Sequence, residues 1–206
     1  NIGITAGIET SFCAAQWIEG LNRMDLNLVS SQHSKKVFET TNYEKKDQQG
    51  NTQQIIKLEK PVDVLFEGVD VEKYFTIDKF SKSDIKTSLD SIKEDFGFLF
   101  VGHWLQGHLG EDRKNLGLTI KTFLDSFKNK KGKKPALILK TALGPSSIMN
   151  KDEILKRIDA IKRMVGGKNL PNIYLIHGDL TDEEMNILYN HPKVKTLVNL
   201  AKGEGF

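Results

Sequence analysis

Two short stretches hold the residue types best suited to chemistry. The first is Gly102-His103-Trp104-Leu105-Gln106-Gly107-His108-Leu109-Gly110-Glu111-Asp112-Arg113-Lys114-Asn115, which follows the apolar run Phe98-Leu99-Phe100-Val101. It is long, contains glycine, and ends in two cations where a helical pattern begins. Backbone amides at a helix N-terminus favour an anion. Arg113 and Lys114 would add charge-assisted bonds to a phosphate. A solvated loop with two exposed cations is the plainer alternative, and the spacing is not the G-x-G-x-x-G dinucleotide fingerprint. The second stretch is Ala201-Lys202-Gly203-Glu204-Gly205-Phe206, where glycines flank a carboxylate. Glycine lets backbone and acid approach a ligand closely, and Glu204 could accept hydrogen bonds from hydroxyl groups.

Other reactive residues lead less far. His103, His108 and His177 follow strand-like runs, but no H-x-H or H-x-x-x-H pair or nearby cysteine accompanies them. No metal site is therefore expected. Lys128-Asn129-Lys130-Lys131-Gly132-Lys133-Lys134 could touch nucleic acid or a membrane surface. It carries no interleaved aromatic residue, which favours a solvated helix end and turn. No Ser-His-Asp arrangement can be assembled. Cys13 lies between Phe12 and Ala14 and reads as a buried structural thiol rather than a nucleophile.

The elements that must hold these residues are clearest after residue 96. Phe98–Val101, Ala136–Leu139, Ile173–Ile176 and Lys195–Asn199 read as apolar strands. Between them, apolar residues recur at helical spacing, as in Leu116, Ile120, Phe123, Leu124 and Phe127. Asn150 with Glu153, and Thr181 with Glu184, have capping-box spacing. Strands buried on both faces and alternating with helices predict a parallel sheet covered on both sides. Ligands of such sheets sit at the carboxyl ends of strands near the switch point. Chemistry is therefore expected just after Val101, Leu139, Ile176 and Leu200.

The first third is less regular. Asn1–Gly7 reads as the end of a buried strand, Leu26–Ser30 as a short strand, and Ser31 as the cap of a helix carrying Val37 and Phe38. Residues 40–54 are polar, with a turn signal at 47–51. Ile55–Leu58 is a returning hairpin strand or a loop anchor, and Val62–Phe66 is a further strand. Residues from about 74 to 94 are polar and rich in Ser, Lys and Asp, as in a linker with room for one helical turn or two.

Composition narrows the function classes. The chain has 206 residues with 30 basic and 27 acidic side chains, a net charge of +3. So close a balance gives no reason to expect a nucleic-acid partner. A single cysteine excludes an intrachain disulfide, and a reducing, cytoplasmic setting fits. No apolar run approaches the roughly 20 residues that cross a bilayer, and no signal peptide is visible. Both ends fall inside sheet elements, so the chain reads as a fragment of a longer protein, with an unusual complete domain as the alternative.

These pieces, in this order, resemble the retaining GT-B glycosyltransferases of the group 1, family 4-like kind. Phe98–Gly102, then Arg113-Lys114-Asn115 opening a helix that ends Phe123-Leu124-Asp125-Ser126-Phe127, resembles the first strand, loop and helix of that family's donor domain. Asn172–Met185, with Leu188-Tyr189, is similar to its strand, turn and helix around G-x-L-s-x-e-e. Gly203-Glu204-Gly205-Phe206 looks like the start of its E-x7-E motif. Val64–Asp70 resembles the segment before the interdomain linker, and Ser30–Lys35 the acceptor-domain v-p-S-x-x-s-k step.

The resemblance implies an α/β fold of two Rossmann-like domains, both incomplete here, with parallel sheets flanked by helices. Residues 1–75 would be the end of the acceptor-side domain, 76–95 the linker, and 96–206 the start of the donor domain. It implies transfer of a sugar from a UDP- or GDP-sugar to an acceptor hydroxyl on a glycan, lipid or protein, with retention and with neither metal nor cofactor. Lys114 would bind the pyrophosphate and Gly102 would give it backbone access. Glu204 would act catalytically on hydroxyls of the donor sugar. His103 stands where the family often has Arg, and Arg113 precedes Lys114 instead. Glu67 replaces the usual Asn before Gly68. The second Glu of E-x7-E would lie beyond Phe206. Glu9 and Thr10 are acceptor-side candidates, and the fragment itself is expected to be inactive. A noncatalytic nucleotide-sugar or protein-binding Rossmann module is the alternative. An epimerase or phosphorylase of similar architecture would need residues that cannot be placed.

Overall fold

The computed structural model describes residues 1–7, 10–107 and 109–203. The chain divides into two compact units, Asn1–Val69 with Gly203, and Asp70–Lys202.

In the first unit, β1 (Ile2–Thr5), α1 (Ala15–Leu21), β2 (Leu26–Val29), α2 (Gln32–Thr40), β3 (Asn42–Lys46), β4 (Thr52–Lys57) and β5 (Val62–Val64) follow one another. β1, β2 and β5 form a parallel sheet in that order, and β3 and β4 form an antiparallel hairpin. Ser31 accepts a hydrogen bond from the Ser34 amide and so starts α2. Its helix then lays Val37 and Phe38 against Ile18, Val29 and Val62. Cys13 is buried in the same cluster, and burial pushes its thiol pKa up, as suits a structural thiol. At the hairpin tip Asp47 Oδ1 accepts from the amides of Gln49 and Asn51, both at 2.9 Å. Residues 1–7 do not end a strand buried on both faces. β1 is an edge strand, and its alternation leaves Ile2 and Ile4 63% and 74% exposed.

The second unit contains α3 (Asp84–Asp90), β6 (Gly97–Val101), α4 (Leu116–Phe127), β7 (Ala136–Lys140), α5 (Ile148–Val165), β8 (Ile173–Ile176), α6 (Asp182–Asn190) and β9 (Val194–Leu197). Its four strands are all parallel, in the order β8-β7-β6-β9. One face, with Phe98, Phe100, Leu137, Leu139 and Leu175, packs on α4 and α5. The other, with Leu99, Ala136, Ile138 and Ile176, packs on α3 and α6. The unbroken apolar runs of β6 and β7 follow from this, since each successive side chain meets a different helical layer. The fold class is thus α/β, with parallel sheets flanked by helices.

Two details differ from the sequence reading. Residues 76–95, read as linker, contain α3, capped by Ser83, and contribute Ile77, Phe80, Ile85, Leu89 and Ile92 to the core beneath α6. Their apolar residues are sparse but lie on one face. α5 begins at Ile148, capped by Ser147, rather than at an Asn150–Glu153 box. Glu153 pairs instead with Arg157 at 3.0 Å. Ile148 and Met149 are 80% and 82% exposed, so the first turn buries nothing that would mark it. α6 does carry its capping box, with Thr181 and Glu184 satisfying each other's amides. Among the described residues no helix is long and apolar enough to cross a membrane.

Candidate functional site

The chain reverses its direction of travel across the sheet at β6. β7 and β8 lie to one side of it, and β9, the last strand, lies on the other. In such a sheet the loops leaving the two strands at the reversal diverge and leave a crevice at the carboxyl edge. Here the loops after β6 and β9 do not diverge at once but are hydrogen-bonded to each other at that edge. Val198 N–H donates to Leu99 O at 2.8 Å, extending the ladder past β9. Asn115 Nδ2 then donates to Leu200 O at 2.8 Å, and the Lys202 amide to Arg113 O at 2.9 Å. Lys202 Nζ reaches Glu111 O at 3.1 Å.

The loop after β6 is built rather than slack. Gly102 N–H donates to Lys140 O at 3.1 Å and Trp104 N–H to Ala142 O at 2.9 Å. The Trp104 ring is buried with Leu116, Ile120 and Ile161, and the Arg157 guanidinium lies 5.7 Å from its centre. Gly107 has φ 131°, and a Cβ there would lie 2.9 Å from the Asp112 amide, so the turn closes only on glycine. A cavity of about 410 Å³ lies beneath this loop, lined by Trp104, Gly107, Asp112, Gly117, Arg157 and Ile161.

Asp112 changes the expected chemistry of this helix start. Its carboxylate is buried, and it accepts from the Lys114 amide at 2.9 Å and the Leu116 amide at 3.3 Å. Amides that the sequence reading offered to an external anion are therefore taken up by the protein's own carboxylate. Any anion at this edge would be met chiefly by side-chain cations. The helix enters through Asn115, whose φ of 51° is left-handed, a conformation asparagine tolerates better than most residues.

Gly102, His103, Arg113 and Lys114 all lie on the loop after β6 at the carboxyl edge. His103 and Arg113 are exposed and Lys114 is half-buried. Thr10 is exposed in the first unit, and its hydroxyl donates to Phe12 O at 2.6 Å. Glu9, His108 and Glu204 lie outside the described residues. Lys202, two positions before Glu204, is the last residue of the second unit.

From sequence, Asp112, Asn115 and Thr141 at this edge have no assigned role, and His177 is considered only as a metal ligand. Thr141, directly after β7, is 2% exposed, and its hydroxyl has no hydrogen-bond partner among the described residues. His177 follows β8, and its Nε2 is likewise buried and unpartnered. The register Lys140↔Ile176 makes Thr141 and His177 neighbours on adjacent strand ends. Buried polar atoms without partners are uncommon and call for an explanation. Beside them Lys140 Nζ donates to Gly178 O at 2.8 Å, and Ser146 Oγ to Asp179 Oδ1 at 3.1 Å. The following helix opens with Asp182, whose carboxyl is held below the usual carboxylate range by Lys73 and then by the Tyr74 hydroxyl. A polar residue just past each apolar run was the available signal for Thr141 and His177. For Asp112 it was an acid two residues before the helical pattern.

Comparison with protein-family models, curated proteins and solved structures returned no match to this chain.

Proposed function

We propose that the chain is part of a retaining, metal-independent glycosyltransferase with two Rossmann-like domains, and that its second unit binds the diphosphate of a UDP- or GDP-sugar. The first unit would belong to the acceptor side. The observation that carries this reading is the pairing of the β6 and β9 loops through Asn115–Leu200 and Lys202–Arg113. It brings the chain to within two residues of Glu204 beside the segment that bears Lys114.

The chemistry follows from charge. Breaking the bond between the anomeric carbon and the diphosphate leaves negative charge growing on phosphate oxygens and positive charge on the sugar ring. Lys114 and Arg113 would stabilise the departing diphosphate electrostatically, since Asp112 occupies the nearest amides. Glu204 would hold the sugar by its hydroxyls, and no covalent link to the protein is required.

Calorimetric titration with UDP and GDP tests this. Lys114→Ala removes one charge-assisted hydrogen bond, about 1.5–3 kcal/mol, and should weaken binding of the preferred nucleotide about tenfold to a hundredfold. Unchanged affinity in the variant would remove Lys114 from the site. A noncatalytic nucleotide-sugar or protein-binding module is the second reading. The buried Asp112 carboxylate favours it, because a fixed negative charge beside a diphosphate opposes the build-up of charge there. Donor-sugar turnover in the presence of simple acceptors separates the two.

A further inference from the structure

Because the four strands of the second unit are parallel, every segment that enters a strand lies along one edge, opposite the nucleotide-binding crevice. These entering segments carry many lysines, together with Glu94 and Asp95 before β6, of which Asp95 pairs with Lys133 at 2.9 Å. Residues 128–134 alone hold five lysines and no acid, and without them the chain, at +3, would be net negative. Lys168 lies before β8, on the turn that bonds this run: Asn129 N–H and Lys134 Nζ both donate to Asn169 O. Lys193 and Lys195 flank the start of β9.

In the sequence this run has no aromatic residue interleaved within it and only Phe127 beside it, but the fold adds others. Phe96, Phe98, Phe127 and Pro135, with Asp95, Lys133 and Lys134, line a cavity of about 300 Å³. Phe96 and Phe98 lie 5.1 Å apart, and Phe98 and Phe127 5.9 Å apart. Lys130 Nζ sits 4.7 Å from the Phe127 ring centre. Phe96 is 44% exposed at the mouth. Lys130 and Lys131 are exposed beside it.

An apolar opening beside the exposed Lys130 and Lys131, with Lys133 balanced by Asp95, matches one kind of surface, apolar within and anionic at its face. We infer that this edge docks on an anionic phospholipid bilayer, with lysines at the headgroups and Phe96 at the acyl boundary. Lysines close to such a surface contribute about 1 kcal/mol each, and lysine stems can extend over apolar surface while their heads stay in water. A single-stranded nucleic acid fits less well. Bases stack on open ring faces, whereas Phe98 and Phe127 are packed against each other and against Phe123.

Vesicle flotation of the intact chain tests this, using phosphatidylcholine vesicles with and without phosphatidylserine. Binding should require phosphatidylserine and weaken as salt rises. The double substitution Lys130→Glu, Lys131→Glu affects two exposed side chains and should weaken binding at least about tenfold, from the contribution per lysine. Phe96→Ser should weaken binding while leaving its salt dependence in place. Circular dichroism establishes that each variant is folded. Binding independent of phosphatidylserine, or unchanged by the lysine substitutions, would overturn the assignment. So would displacement from vesicles by a single-stranded oligonucleotide that binds more tightly, which would make the edge a nucleic-acid surface.

Discussion

Asn115 joins the two loops of the candidate site, and its replacement can be worked through from the structure. Two terms are at stake. The Nδ2–Leu200 O hydrogen bond, at 2.8 Å, contributes about 1 kcal/mol. The left-handed φ of 51° costs an ordinary residue with a Cβ about 1–2 kcal/mol, asparagine less, and glycine almost nothing. Removing the buried and unpartnered Oδ1 returns part of the loss. Asn115→Ala should therefore destabilise the second unit by about 1–2 kcal/mol. Asn115→Gly loses the same bond but not the backbone fit, and should be milder by about 0.5–1 kcal/mol despite the flexibility of glycine in the unfolded chain. Urea unfolding followed by Trp104 fluorescence reads the second unit, provided Trp17, in the first unit, is replaced by Phe. With a slope of about 1–3 kcal/mol per molar urea, the Ala variant should shift the midpoint down by roughly 0.3–2 M. If glycine proves as damaging as alanine, the positive-φ reasoning is wrong and the tether alone sets the effect.

Other predictions are more direct. Thr181→Ala breaks the capping box of α6 and should cost about 1 kcal/mol in the same assay. Trp104→Ala empties the groove between the β6 loop and α4 and should cost about 3–5 kcal/mol, visible by thermal unfolding. Asp112→Asn removes the buried negative charge at the start of α4. It should lower stability while tightening UDP or GDP binding, and calorimetry that shows weaker binding would place the diphosphate elsewhere. His191 is buried, and this outweighs its neighbour Asp90 and holds the imidazole pKa below the ordinary histidine value. Its Nε2 faces Asp90 Oδ1 at 3.1 Å, while Nδ1 accepts the Lys193 amide at 3.3 Å and would lose that bond on protonation. The unfolded chain then takes up a proton first as pH falls below about 6.5, so folding stability is complete above that pH and declines below it. Stability measured across this range should flatten in His191→Gln.

Much of the second unit could be read from the sequence because burial there follows the period of each element. β6 and, up to Leu139, β7 are apolar throughout, since helices cover both faces, and α4 shows a clear apolar stripe. α1 left no such mark. It is seven residues long, and Ala14 offers no capping side chain. A helical turn or two fitted the region of α3, but its part in the core was hidden because Ile85, Leu89 and Ile92 sit among charged and hydroxyl residues that suggest a linker. The candidate site was half legible. A glycine after an apolar strand and two cations before a helix located the loop. The local hydrogen bonding of Asp112 was not legible, because an acid near a helix start reads equally as a solvated side chain. The approach of Phe96 and Phe98 to the lysine run depends on parallel strand pairing between residues far apart in the chain, which composition along the run cannot show.

The central claim is that a nucleoside diphosphate sits at the carboxyl edge between β6 and β9. Amide chemical-shift mapping by NMR during titration with UDP and GDP tests it most directly. The account predicts that the largest shifts fall on residues 102–115 and 198–202, with Thr141 and His177 also affected. Shifts confined to the lysine-rich opposite edge or to the first unit, or none up to the solubility limit of the nucleotide, would contradict it.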